Sequence, residues 1–81
     1  MQETVYIAQG FRREGRRKQL TPDQPRRCRS PQDAIKAAEQ LAGRRIGAVA
    51  YSINVDHDTD FADEPVILFK AGELPPELAD E

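Results

Sequence analysis

The chain has 81 residues and a formal charge of −2, enough for one domain and too little for two. A single cysteine, Cys28, excludes an intrachain disulfide and points to a reducing compartment. No apolar run approaches the ~18 residues of a membrane span, and no basic start leads into an apolar stretch, so a cytoplasmic protein without a membrane partner is expected.

A domain this short buries about 60–65% of its unfolded surface, so its core is small and a dimer would help it. The charge is not evenly spread. Residues 1–45 carry eleven Lys/Arg against five Asp/Glu (+6), and residues 46–81 carry one Lys against nine Asp/Glu (−8). A basic front and an acidic back imply an anionic partner for the first half, or mutual neutralisation within the fold or across a dimer.

In chain order, residues 4–13 read as a strand with Val5, Ile7 and Phe11 on one face and Tyr6 and Ala8 on the other. Glu14-Gly15 reads as a two-residue turn, and residues 16–20 as the returning strand. Residues 21–25, with Pro22 and Pro25, form a loop. Residues 26–29 extend the second strand past that loop and lead into a helix.

The helix has its start and stop written into the sequence. Ser30 is the N-cap, Pro31 occupies the first helical position, and Asp33 places a carboxylate at the positive end of the dipole. Ala34, Ile35, Ala37, Ala38, Leu41 and Ala42 share one side. Ile35 and Leu41 are its expected anchors, and Gly43 its expected left-handed stop. Alanine adds little apolar area, so this helix should lie close to a sheet.

Residues 46–55 read as a third strand, with Val49, Tyr51, Ile53 and Val55 on one face and Ala48, Ala50 and Ser52 on the other. Residues 56–64 form an acidic loop. Residues 66–69 are apolar at every position, the mark of a central strand or one covered twice. Residues 73–81 form an acidic, proline-containing tail outside a 1–72 domain. The expected fold class is α+β in the order β-β-α-β-β, a four-stranded antiparallel sheet with the helix on one face. The face bearing Tyr6, Ala8, Ala48 and Ala50 is expected to be left over and covered by a homodimer.

The segment Gly72-Glu73-Leu74-Pro75-Pro76-Glu77-Leu78, the arginine-rich front and the Cys28-Arg29-Ser30 approach to the helix resemble a group of short, uncharacterised bacterial proteins. The resemblance implies a small accessory protein and carries no activity with it.

Three groups of residues bear on function. In the arginine hairpin, the turn at Glu14-Gly15 sets Arg13 opposite Arg16 and Arg12 opposite Arg17, and like charges so placed call for compensation. With Lys18, they form a candidate surface for a nucleic-acid backbone or an acidic protein partner. Solvent or the acidic half of the chain is the plainer compensation, and the lack of interleaved aromatics disfavours base stacking. Asp56, Asp58 and Asp60 alternate as ligands of a hard cation would, yet Phe61 stands where an EF-hand loop needs glycine and Ile67 where it needs glutamate. A solvated acidic loop is the stronger reading. Cys28, among Arg26, Arg27 and Arg29 before a helix N-terminus, is a candidate reactive thiol, although lone cysteines usually serve as small packing residues.

Neither an enzyme nor a cofactor site is expected. Cys28 and His57 lie in different segments with no third group to orient them, and Gly10 and Gly15 are isolated rather than part of a phosphate-binding loop. The leading expectation is a non-catalytic protein-binding or accessory module, homodimeric. The alternative is a nucleic-acid binder using the arginine hairpin.

Overall fold

A computed structural model describes residues 2–56, 58–59, 61–62 and 64–76. It is an α+β fold, with strands β1 (Gln2–Glu14), β2 (Gln19–Pro22) and β3 (Arg26–Cys28), helix α1 (Pro31–Ala42), and strands β4 (Gly47–Asp56), β5 (Phe61–Ala62) and β6 (Val66–Gly72). All pairings are antiparallel. β1 and β4 form the centre, in register from Gln2↔Asp56 to Phe11↔Gly47. β2 and β3 pair with successive parts of β1, and β5 and β6 with successive parts of β4. The sheet is therefore four strands wide with both edges interrupted. Pro22 and Pro25 flank the break between β2 and β3, where a missing amide does least harm.

The helix runs over the residues its caps prescribe. Ser30 is extended, and its Oγ accepts from the Asp33 amide at 3.1 Å. The stop differs from expectation. Gly43 is right-handed (φ −78°, ψ −13°), and the chain leaves in a further turn in which the Arg44 and Arg45 amides both donate to the Leu41 carbonyl.

The face assignment is also corrected. The helix lies on the sheet face of Ala8, Ala48 and Ala50, which with Ala34 and Ala38 form a fully buried alanine cluster. Small side chains on both layers let the helix backbone approach closely, so the alanine face is the one a helix can cover. Ile35 and Leu41 are half-buried at the edge of this cluster rather than at its centre.

The last strand, read as central or covered twice, is an edge strand pairing with β4 alone among the described strands. A bulge explains its apolar run. Ala50 pairs with Phe69 and Tyr51 with Ile67, leaving Leu68 as the extra residue. Leu68 and Phe69 both pack against the alanine cluster, whereas Val66 and Ile67 remain 60% and 38% exposed.

Past β6 the chain folds back. Gly72 has φ +73°, and the Glu73 amide donates to the Ile46 carbonyl at 2.9 Å. A Cβ on Gly47 would stand 1.8 Å from the Glu73 carbonyl oxygen. Gly47 pairs with Phe11, so the segment after Gly72 crosses the face opposite the helix, at the end where Phe11 and Val49 are buried. Glu73 is thus held against the domain by its backbone amide and by its pairing with Arg13.

Candidate functional site

The arginine hairpin is rebuilt by its register. β1 pairs Glu14 with Gln19, Arg13 with Leu20 and Arg12 with Thr21. Gly15, at φ +81°, opens a four-residue loop closed by a hydrogen bond from the Lys18 amide to the Gly15 carbonyl at 3.1 Å. Arg16, Arg17 and Lys18 therefore occupy an exposed loop, and the expected Arg13–Arg16 and Arg12–Arg17 oppositions do not occur.

The strand arginines have internal partners. Arg13 donates to the Lys18 carbonyl at 2.7 Å and pairs with Glu73. Arg12 pairs with Asp23 and with Glu14, the latter at 3.2 Å. Asp23 is a junction that the sequence alone presents as a loop residue. Its amide donates to the Gly10 carbonyl at 2.8 Å, and its carbonyl accepts from Gln9 Nε2 at 2.7 Å. Its carboxylate, only 16% exposed, takes Arg45 Nε on Oδ2 at 2.6 Å and Arg12 on Oδ1. The Arg45 hydrogen bond, seconded by Arg12, holds the Asp23 carboxyl below its ordinary pKa against the opposing effect of burial. The Asp23 hydrogen bond in turn raises the Arg12 guanidinium above its already high value.

A second basic group gathers where β3 meets the first turns of α1. Cys28 pairs with Tyr6 and Arg26 with Ala8, which places both on the helix side of the sheet, whereas Arg27 pairs with Ile7 on the other side. Arg27 there binds Glu3 Oε2 at 2.8 Å. Arg26, Arg27, Cys28, Arg29, Asp33 and Lys36 are among the residues lining an open cleft of about 330 Å³, so Arg27 reaches its rim although its partner Glu3 lies across the sheet. Cys28 is half-buried, and its thiol lies 3.6 Å from the Arg26 carbonyl it donates to. Arg26 and Arg29 are legible in the sequence as the basic run before the helix. Lys36 is not, because its place beside β3 is a tertiary fact.

The acidic loop is accounted for locally in part. Asp56 Oδ1 accepts from the Asp58 amide at 3.0 Å, a side-chain turn at the end of β4. Asp60 and His57 lie outside the described residues, and among the described residues no cluster of three metal-ligating side chains occurs.

The third feature is the sheet face away from the helix. Val5 pairs with Ile53, and Ile7 with Tyr51, which pairs in turn with Ile67. This patch is half-buried apart from the exposed Ile67, and no described helix packs on it. Burial raises the Tyr51 phenol above its ordinary pKa. The ion pairs Glu3–Arg27 and Arg13–Glu73 border the patch.

No helix among the described residues is long and apolar enough to cross a membrane. The chain matches no family model, no curated protein and no solved structure.

Proposed function

We propose that the chain is a non-catalytic protein-binding module that works as a homodimer, joined through the sheet face of Val5, Ile7, Tyr51, Ile53 and Ile67. The observation that carries this reading is the apolar character of that face. A one-sided antiparallel sheet ordinarily alternates apolar residues inward with polar residues outward. Here both sides are apolar, and α1 covers one. The face away from the helix belongs to a molecule 43 Å long and 24 Å wide. Its apolar centre with an ionic border also follows interface anatomy.

A second copy of the chain is the occupant that requires no further chemistry, since the central residues of the patch can meet their own symmetry mates. Sedimentation velocity across micromolar concentrations tests it. The expected result is a dimer that Ile53→Lys converts to a folded monomer. A wild-type monomer throughout that range rejects the proposal. For the nucleic-acid alternative the support is smaller. Of its five basic residues, Arg12 and Arg13 are engaged internally, and Arg16, Arg17 and Lys18 remain in the loop.

A further inference from the structure

We propose that the cleft between β3 and α1 binds a small molecule bearing phosphate groups, gripped by Arg26, Arg29 and Lys36. This site lies on the helix side of the sheet, and of its lining residues Arg27, paired with Glu3, also borders the proposed dimer face.

The first support is convergence without compensation. Arg12, Arg13, Arg27 and Arg45 all reach a carboxylate. Of the four basic residues lining the cleft, Arg27 is taken by Glu3, whereas among the described residues Arg26, Arg29 and Lys36 make no ion pair and no side-chain hydrogen bond. Three like charges facing one concavity repel, and a bound polyanion relieves that repulsion. Asp33, the one carboxylate there, forms no described pair with any of them. The helix amides add little, because Ser30 Oγ already takes the Asp33 amide.

The second support is shape. A volume of about 330 Å³ reaches the lower range of small-molecule sites. The floor is formed by half-buried Cys28 and Ala37, an apolar seat for the organic part of a ligand. Arg26 and Arg29 carry planar forks suited to paired phosphate oxygens, and Lys36 adds a mobile point charge. Gln40 supplies a neutral donor and acceptor at the rim. An extended nucleic-acid backbone is served less well. No aromatic side chain lines the cleft for base stacking, and Asp33 stands at its border.

Cys28, the only cysteine of the chain, provides a built-in reporter. The full chain is titrated calorimetrically at low salt with inorganic pyrophosphate and with adenosine triphosphate, and the rate of Cys28 alkylation by iodoacetamide is measured in parallel. Saturable binding of either ligand together with slowed alkylation is expected. Arg26→Glu combined with Lys36→Glu should weaken binding at least about tenfold, the scale of lost charge-assisted hydrogen bonds. Arg16→Glu combined with Arg17→Glu should leave it unchanged. All four residues are exposed, so the variants should keep the wild-type circular dichroism spectrum. Absence of saturation, unaltered alkylation at saturation, or equal loss in the loop variant overturns the proposal. Tighter binding of a random single-stranded RNA that depends on Arg16 and Arg17 overturns it as well, in favour of the hairpin. The monomeric Ile53→Lys variant should bind pyrophosphate as the wild type does, which separates this site from the dimer face.

Discussion

Asp23 Oδ2 accepts a hydrogen bond from Arg45 Nε at 2.6 Å, tying the loop between β2 and β3 to the chain leaving the helix. Gly10 lies beneath this junction. A Cβ there would stand 3.1 Å from both Arg45 Cγ and Asp23 Oδ2. The same carboxylate holds Arg12, so one acidic side chain joins the basic hairpin, the interrupted edge and the helix terminus.

The Asp23 junction should be visible in acid. Its pKa is depressed in the folded protein, chiefly by Arg45 and then by Arg12. Its stabilising contribution is therefore full above the unfolded value of about 3.9 and is lost as pH falls through the folded value. Scanning calorimetry from pH 6 downward should show Asp23→Asn melting below the wild type at pH 6. The gap should narrow steadily once pH drops below about 4. A gap that stays constant down to pH 2 would mean that the charge of Asp23 contributes nothing.

The alanine interface should reject larger side chains. Ala38 is fully buried in the cluster with Ala8, Ala48 and Ala50, where the two layers meet at the distance small residues allow. Ala38→Leu should destabilise the domain by about 1–3 kcal/mol through overpacking. Urea unfolding measures this, with a lowered midpoint and an unchanged slope as the expected outcome.

These two relationships show what the sequence made legible. The helix could be read because Ser30, Pro31 and Asp33 act locally, within one turn of each other. Which sheet face it covers could not, because alternation shows two apolar faces and does not choose between them. The choice follows from backbone approach, which favours Ala8, Ala48 and Ala50 over Val5, Ile7 and Tyr51. The hairpin register was hidden because Gly15 suits both a two-residue turn and the start of a four-residue loop. The bulge at Leu68 was hidden because an apolar run carries no alternation to break. Of the candidate cleft, Arg26, Cys28 and Arg29 were legible as neighbours in sequence, and Lys36 entered only through packing.

The return of the chain over Gly47 gives a third expectation. Gly47→Ala would place a methyl group 1.8 Å from the Glu73 carbonyl oxygen, and both are backbone positions that cannot swing away. The segment after Gly72 must then lift from the sheet, breaking the Glu73–Ile46 hydrogen bond and the Arg13–Glu73 pair. A loss of more than about 2 kcal/mol is expected, in the upper part of the range for point substitutions. Limited proteolysis should cut the variant after Gly72 faster than the wild type. Equal stability and equal cleavage would show that this crossing does not hold the domain together.

Tyr51 reports on the proposed dimer face. Its phenol lies among Ile7, Ile53 and Ile67, and burial already raises its pKa above 10.0. A raised phenol pKa means that the folded state favours the neutral form. Stability is therefore present below the unfolded value and lost as pH rises through the folded value. A second copy over the same face would remove more water and push the midpoint higher still. In a Tyr6→Phe background, which leaves Tyr51 as the only tyrosine, ultraviolet titration should give a midpoint that rises with protein concentration. The dimer should correspondingly dissociate as pH climbs through that midpoint. A midpoint independent of concentration across the micromolar range would place the interface elsewhere.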